Sequence, residues 1–193
     1  WLSLTDHDTM AGVPEAGEAG ELLNVTIIPG IEVSTDYGGT EIHILGYFLD
    51  PDAPKLRDYV TWVREQRLGR IEAMAGRLQK KGFPITMEEL ERRHPGATPG
   101  RPHLAEMLVE LGAVSSVKEA FRRYLAEGRS CYVPRKMISF ADGVRLIRDC
   151  GGVAVLAHPL QYGFTRTELD ALVKAAADAK FSGMEILYPG YTH

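Results

Sequence analysis

The sequence has little cysteine and no long apolar run. Its two cysteines, Cys131 and Cys150, form neither a CxxC pair nor a disulfide framework. We interpret them as ordinary half-buried thiols, which fits a reducing compartment. No apolar segment approaches the roughly 18–20 residues that cross a bilayer, and we see no charged segment followed by an apolar one of the kind that directs secretion. The expected location is therefore the cytoplasm, without membrane association.

Disorder and fibrous structure are excluded by composition. The chain has 193 residues, of which 45% are hydrophobic and 25% are charged, and its 20 glycines follow no period. An apolar fraction of this size allows a buried core. The length suits one ordinary domain, or one domain that carries an insertion.

Charge is distributed unevenly along the chain. The net charge is −4, from 22 basic and 26 acidic residues. Residues 55–136 hold 17 basic and 10 acidic side chains, so this middle part carries +7 and the remainder carries −11. The middle part is therefore suited to binding anions, whereas the flanks concentrate carboxylates. The alternative is that the basic side chains only solvate helix faces.

Hydrophobic patterning predicts an α/β fold interrupted by a helical segment. Apolar side chains at helical spacing begin near Pro54, and Gly82 ends this run. The basic middle part contains no convincing strand. We therefore divide the chain into a first α/β part at 1–52, a helical insertion at 53–130 and a second α/β part at 131–193. The predicted strands are 1–4, 25–28 (ended by Pro29-Gly30), 42–48, 153–156 and 184–187, and the predicted helices are 14–23, 86–93, 102–111, 117–127, 139–150 and 168–179.

Four ionisable side chains lie at or near the ends of predicted strands. His7 and His158 follow strands, His43 lies within one, and Glu32 follows another. Because strand ends open onto the functional face of parallel α/β folds, ligands from separate strands can converge there. Imidazole nitrogen and carboxylate oxygen together suit Zn, Mn or Fe. The sequence therefore predicts a metal site, although any one histidine is more often an ordinary surface or core residue.

Other ionisable residues near this set have less defined roles. Asp6 and Asp8 flank the first histidine, and either could orient a neighbouring imidazole or bind metal itself. His94 and His193 are interpreted as ordinary histidines.

Four short motifs together resemble one known family. The segments are Thr-Asp-His-Asp-Thr at 5–9, Pro-Gly-Ile-Glu-Val-Ser at 29–34, Ile-His-Ile-Leu-Gly-Tyr at 42–47 and Val-Leu-Ala-His-Pro at 155–159. In this order and spacing they resemble the PHP (polymerase and histidinol phosphatase) family. Within it, the chain is similar to the bacterial phosphoesterases with a helical insertion, a group that includes nucleoside 3′,5′-bisphosphate phosphatases and 5′→3′ exoribonucleases.

The resemblance implies a fold and a metal cluster. The expected fold is a distorted (β/α)7 barrel with the helical insertion, holding two or three divalent metal ions (Mn, Zn, Fe or Mg) at its strand ends. His7, Glu32, His43 and His158 correspond to ligands, with Glu32 as the bridging carboxylate. The family also has an HxH motif on a preceding strand and a later Asp-x-His motif. We expect these parts of the barrel to lie outside residues 1–193.

The same resemblance implies phosphate contacts in the basic part. Arg101 and His103 belong to an Arg-Pro-His element that recurs in this subgroup and are expected to contact substrate phosphate. His103 could instead protonate the leaving oxygen. Arg135 and Lys136 are further candidate contacts, with solvated loop charges as the alternative.

The implied activity is hydrolysis of phosphate esters of nucleotides or short RNA 5′ ends through a metal-activated hydroxide. The expected partner is this anionic substrate, with no obligate protein partner. Two alternatives remain open: a small-molecule phosphomonoesterase such as a histidinol phosphatase, and a metal-binding but inactive PHP module.

Overall fold

The computed structural model describes residues 1–95, 98–189 and 191. The chain divides into two compact units. The sheet unit consists of Trp1–Thr61 and Met137–His193, and the helical unit consists of Trp62–Lys136. The division falls within helix α2 (Pro54–Gln79). Among the described helices, none combines the length and apolar composition that a bilayer span requires.

The sheet unit is built on a mixed sheet that has six strands in the described part of the chain. The path runs β1-β2-β3-β5-β6, and β4 pairs with β2 beside this path. Strands β2 and β3, and β3 and β5, are antiparallel, whereas the other pairs are parallel. The strands are β1 (Leu2–Leu4), β2 (Ile27–Tyr37), β3 (Thr40–Tyr47), β4 (Ile138–Ser139), β5 (Val153–Leu156) and β6 (Gly183–Met184).

The second strand is longer than the sequence predicts. We expected it to end at Pro29-Gly30, but β2 continues through both residues to Tyr37. Pro29 is the last residue paired with β1, and pairing with β3 begins at Gly30, so the strand changes partners where the proline lies. The expectation that Glu32 follows a strand was therefore wrong, because Glu32 lies inside β2.

Gly30 is needed because the chains approach closely at this point. A Cβ atom there would lie 2.4 Å from Ser3 Oγ and 2.8 Å from Thr5 Cγ2. Contacts this short are not tolerated between a side chain and its neighbours, so the position requires glycine. This close approach brings the segment that follows β1 against β2.

The two faces of the β2–β3 hairpin differ in chemistry. Side chains alternate between the faces of a strand. Ile31, Val33, Ile42 and Ile44 are fully buried and form the apolar face. Helix α6 packs here through Gly143, where an added Cβ would lie 2.5 Å from Thr35 Cγ2 and 3.0 Å from Ile44 Cδ1. The alternate residues, which include the candidate ligands of both strands, occupy the other face.

Helices of the sheet unit follow the predicted pattern with small shifts. Helix α1 spans Val13–Leu23, α6 spans Phe140–Asp149, and α7 spans Arg166–Asp178. Ser139 caps α6 by accepting a hydrogen bond from the Asp142 amide, as its position predicts. Strand β6 is shorter than the predicted 184–187 and comprises two residues. The α/β class inferred from the sequence is confirmed.

The helical unit has its own core. It contains the rest of α2 with α3 (Met87–Arg93), α4 (Arg101–Glu110) and α5 (Val117–Ala120). The helix predicted at 117–127 was partly wrong: after α5 the chain forms a π-helical turn, Phe121–Leu125, in which the Ala126 amide bonds to the Phe121 carbonyl. The fully buried side chains of the core are Met74, Leu78, Ile85, Leu104, Ala105, Leu108, Ala120, Leu125 and Cys131.

Candidate metal centre

Three of the four predicted ligands form a tight triangle of donor atoms. Glu32 Oε1 lies 3.0 Å from His43 Nδ1 and 3.0 Å from His158 Nε2. The two ring nitrogens lie 3.2 Å apart. Donor atoms bound at about 2.0–2.2 Å to one cation are separated by roughly 3–3.5 Å. The triangle therefore has the dimensions of part of a coordination sphere.

The fourth predicted ligand approaches the other oxygen of the same carboxylate. His7 Nε2 lies 3.5 Å from Glu32 Oε2. One donor atom from each of His7, Glu32 and His43 lies within 4.8 Å of the others. The structure thus brings together all four side chains from segments spread over most of the chain. Glu32 is central, since each of its oxygens faces at least one imidazole.

Backbone pairing places His7 beside Glu32. The Glu32 amide donates to the Asp6 carbonyl at 3.0 Å, and the Asp8 amide donates to the Glu32 carbonyl at 2.9 Å. This bridge extends the pairing of β1 and β2 beyond the strand end. The exposed Asp6 side chain takes no part in these bonds, which use its backbone.

Asp8 is buried and ties the loop to two other elements. Its carboxylate accepts hydrogen bonds from the Ser34 amide at 2.9 Å, from the Ser34 hydroxyl at 3.0 Å and from the Tyr59 hydroxyl at 2.5 Å. These bonds join the loop after β1 to β2 and to the first part of α2. The role that we expected for Asp8, orienting an imidazole or binding metal, stays a prediction.

His158 has a left-handed backbone, with φ of 26° and ψ of 57°. This region is unfavourable for residues other than glycine and asparagine, so its neighbours must hold it. The His158 amide donates to Glu185 Oε2 at 2.8 Å, and Pro159 then begins a 3₁₀ turn, Pro159–Tyr162. His158 Nδ1 is buried and has no hydrogen-bond partner among the described residues. No motif in the sequence singles out Glu185.

Tyr162 is a second residue that the sequence did not reveal. Its hydroxyl accepts a hydrogen bond from the His43 amide and donates one to the Ala157 carbonyl, both at 2.9 Å. The first of these partners is 119 positions away. Burial raises the pKa of this tyrosine, so the hydroxyl remains protonated. Only the fold brings these groups together.

The surroundings of the cluster favour an ionised Glu32 carboxylate and a charged His43 ring. Burial opposes ionisation of Glu32, but hydrogen bonds from His43 and His158, with the charges of His7 and His43, outweigh it and hold the pKa of the carboxyl below its usual value. At His43, burial disfavours the charged ring. Hydrogen bonds to Glu32 and Glu41, and their charges, outweigh that cost and raise the pKa of the imidazole to about 9. A divalent cation would replace these protons as the partner of Glu32.

The cluster lines a pocket of about 420 Å³ in the sheet unit. The rest of its wall consists of Thr5, Leu45, Tyr47, Gln161, Glu185 and Tyr188. The donor set consists of imidazole nitrogens and carboxylate oxygens, which suits Mn, Zn or Fe. The residues present therefore fit divalent cations, with polar groups nearby for an anionic ligand.

The predicted phosphate contacts belong to the helical unit. Arg101 is the first residue of α4, and its Cζ lies 5.6 Å from the Phe121 ring centre and 5.9 Å from that of Tyr132. Stacking of this kind orients a guanidinium. In the described part of the chain, Arg101 makes no ion pair with a carboxylate.

His103 has a defined hydrogen-bonding role for one ring nitrogen. Its Nδ1 accepts from the Gly100 amide at 3.1 Å, and its ring stacks on His94 at 4.3 Å. His94 Nε2 also lies 3.6 Å from Glu106 Oε2, which is consistent with its ordinary interpretation. Arg135 is half-buried and Lys136 is exposed. His193 lies outside the described residues.

Comparisons with known proteins agree with the motifs. No family model matches the chain. The chain is 38% identical over 189 residues to the 5′-3′ exoribonuclease Rnm of Salmonella typhimurium, covering 96% of the chain and 64% of the relative. It is 33% identical to a 5′-3′ exoribonuclease of Haemophilus influenzae, covering 99% and 69%. It is 35% identical to a 3′,5′-nucleoside bisphosphate phosphatase of Chromobacterium violaceum, covering 96% and 65%.

Solved structures extend the likeness to the fold. An amidohydrolase from Chromobacterium violaceum, with bound sulfate and no metal, superposes with a TM-score of 0.76 at 34% identity, covering 95% of this chain and 65% of that one. A Bifidobacterium adolescentis protein classed as a metal-dependent phosphoesterase gives 0.76 at 28% identity, covering 98% and 68%. That class and the His/Glu cluster together imply a site for divalent metal ions.

The chain matches part of the length of each relative. The chain spans somewhat less than two thirds of the Salmonella relative, and a little more than two thirds of the Haemophilus one. The chain belongs to the PHP family of phosphoesterases, in the group of these bacterial exoribonucleases and nucleoside bisphosphate phosphatases.

Proposed function

We propose that this protein is a metal-dependent phosphoesterase that hydrolyses phosphate esters of nucleotides or of short RNA 5′ ends. The observation that carries the proposal is the convergence of three imidazoles on the two oxygens of Glu32 in one pocket. Nitrogen and oxygen donors at these separations are arranged to hold hard or borderline divalent cations.

The proposed ligands are His7, Glu32, His43 and His158, holding two or three ions of Mn, Zn, Fe or Mg. Glu32 is the proposed bridge, because one oxygen faces His43 and His158 while the other faces His7. When bound, such cations lower the pKa of water to about 7 and offset charge on a phosphoryl group. The chain's own part is to fix these side chains, through the Asp6–Asp8 backbone bridge and the Glu185 bond to His158.

The proposed phosphate contacts are Arg101 and His103. The guanidinium of Arg101 is held by aromatic rings rather than by a carboxylate in the described residues, so its donors suit a phosphate. Since Nδ1 of His103 accepts from the Gly100 amide, the neutral ring carries its proton on Nε2. That N–H can donate to a phosphate oxygen or to the leaving oxygen. Arg135 and Lys136 are proposed as additional contacts.

Nucleotide or RNA substrates are favoured by the relatives and by charge. The relatives above are named for RNA and for nucleoside bisphosphates, and a further relative from Eggerthella lenta, 31% identical, is named for a phosphoribosyl cyclic phosphate. The net charge of +7 over residues 55–136 supports a polyanionic substrate. Two alternatives are tested against this proposal. One is an enzyme that acts on a small monoester such as histidinol phosphate, and the other is an inactive metal-binding module.

The test combines metal analysis with a substrate screen. The purified protein, loaded with Mn²⁺, is assayed for phosphate release from nucleoside 3′,5′-bisphosphate, short 5′-phosphorylated RNA and histidinol phosphate. We expect release from the first or second substrate, and its loss together with metal binding in Glu32→Gln. Glu21→Gln in α1 is the matched control, because this carboxyl is exposed and is not a proposed ligand.

The outcomes separate the alternatives. Release from histidinol phosphate alone would assign the small-molecule activity instead. Stoichiometric metal without release from any of the three would indicate an inactive module. Full metal content in Glu32→Gln would overturn the proposed centre itself.

A further inference from the structure

We infer that Tyr162 is a positioning residue of the metal centre: its hydroxyl, inserted between β3 and the chain after β5, sets the relative placement of His43 and His158. The inference rests on the proposed function, since these two histidines are proposed ligands. Tyr162 itself is not a proposed ligand, and its hydroxyl is engaged by the backbone on both sides.

The hydroxyl takes the place of one backbone hydrogen bond between β3 and β5. Strands β3 and β5 are antiparallel, with Ile44 opposite Leu156, so His43 lies opposite Ala157. Residues in a hydrogen-bonded antiparallel pair normally exchange two N–H to C=O bonds. One of these is direct, from the Ala157 amide to the His43 carbonyl at 3.1 Å. The other is routed through Tyr162, which accepts from the His43 amide and donates to the Ala157 carbonyl, each at 2.9 Å.

Insertion of an oxygen atom between the His43 amide and the Ala157 carbonyl separates the two strands on one side of this pair. The separated residues are His43 itself and the residue that immediately precedes His158. The two ring nitrogens that face each other across this opening lie 3.2 Å apart, and each lies 3.0 Å from Glu32 Oε1. A direct second bond would draw the backbones together and change this spacing. The hydroxyl therefore acts on the distance between two proposed ligands.

The ring of Tyr162 also contacts both imidazoles. Its centre lies 6.4 Å from that of His43, nearly perpendicular to it, and 5.4 Å from that of His158. These contacts pack the tyrosine ring against both imidazoles. Removing only the hydroxyl preserves them, so the hydroxyl can be tested separately from the ring.

The test compares two tyrosine-to-phenylalanine variants in the full chain. Tyr162→Phe removes the inserted hydroxyl. Tyr191→Phe is the matched control. The Tyr191 hydroxyl also accepts a hydrogen bond from a backbone amide of the same 3₁₀ turn, that of Leu160 at 3.0 Å, but it does not contact His43 or Ala157. Mn²⁺ is the probe, titrated calorimetrically and by its electron paramagnetic resonance signal.

We expect Tyr162→Phe to bind Mn²⁺ roughly 10–100-fold more weakly, the range typical when a group that orients a ligand is removed. Tyr191→Phe should retain wild-type affinity. Wild-type affinity in Tyr162→Phe would overturn the inference. Equal weakening in both variants would also overturn it, because it would reflect general loosening of the turn.

Failure of this inference can be told apart from failure of the metal centre. Glu32→Gln is titrated in parallel. If Glu32→Gln binds Mn²⁺ normally, the proposed centre is wrong and Tyr162 has nothing to position. If Glu32→Gln loses binding while Tyr162→Phe retains it, the centre stands and only the role of the tyrosine is excluded.

Discussion

His158 Nε2 lies 3.0 Å from Glu32 Oε1, although 126 positions separate the two residues. The contact arises because β5 pairs with β3 and β3 pairs with β2. Glu32 lies on β2, His43 on β3 and His158 in the chain just after β5, so the pairing brings the three to one place. His7 joins them through the parallel bridge to Glu32.

Replacing His158 should weaken metal binding without unfolding the protein. His158→Asn is the appropriate change, because asparagine tolerates the left-handed backbone that this position adopts, with φ of 26°. We expect at least about a tenfold loss of Mn²⁺ affinity, by analogy with the loss of groups that orient a ligand. Elemental analysis and calorimetry measure it. His94→Asn, in the helical unit, should keep full metal; if His158→Asn does so too, His158 is not a ligand.

Arg101 should act on substrate and not on metal. Lysine cannot reproduce the planar fork or the stacking on Phe121 and Tyr132. We expect Arg101→Lys to raise KM by about tenfold, a cost of about 1.4 kcal/mol, with unchanged metal content. Steady-state kinetics on the substrate found by the screen provide the measurement. Arg122→Lys is the control, since Arg122 is exposed and lies 3.9 Å from Glu119 at the surface. Loss of metal in Arg101→Lys would refute the assignment.

Gly143 should be needed for packing of α6 on the sheet. An added methyl group would lie 2.5 Å from the Cγ2 atom of Thr35, which is fully buried. Overpacking of this kind costs about 1–3 kcal/mol, so Gly143→Ala should lower the free energy of unfolding despite the better helix propensity of alanine. Gly17→Ala in α1 meets nothing within 4 Å and should stabilise by up to about 1 kcal/mol. Denaturant unfolding compares them, and equal stabilisation would show that α6 can move away.

Lowering the pH should remove the contribution of Glu119 to the stability of the helical unit. Hydrogen bonds from the Ser115 amide and hydroxyl, then from Arg123, outweigh partial burial and lower the pKa of Glu119 to about 2. A carboxyl with a lowered folded-state pKa stabilises the fold above its unfolded value, near 4.5, and this contribution is lost as the pH falls from there toward 2. Glu119→Gln should therefore unfold more easily than wild type at pH 7.

The sign of the effect is tested by its pH dependence. The difference in denaturant midpoint between wild type and Glu119→Gln should shrink as the pH is lowered through this range. Exposed Glu127, converted to glutamine, serves as the control and should show no such change. A difference that stays constant down to pH 2 would contradict the assignment.

Local chemistry made the helices and the candidate ligands predictable. Ser139 caps α6 as expected, and Thr86 caps α3 by accepting from the Glu89 amide. The positions of His43 and His158 within their motifs were enough to propose them as ligands. The course of β2 was not predictable in the same way, because Pro29 normally ends a strand and only the change of partner strands allows it to continue.

The sequence by itself determined the α/β class, and it predicted a basic helical segment and four metal-ligating side chains, because periodicity, charge and short motifs are carried by neighbouring residues. Tertiary structure alone decided that Glu32 lies inside a strand, that Glu185 holds the His158 amide and that the Tyr162 hydroxyl takes the place of a backbone hydrogen bond at His43. Each of these depends on strands far apart in the chain becoming neighbours in the sheet. The physical reason is that the fold decides which group forms a hydrogen bond with a given backbone amide or carbonyl. The residue type at that position does not.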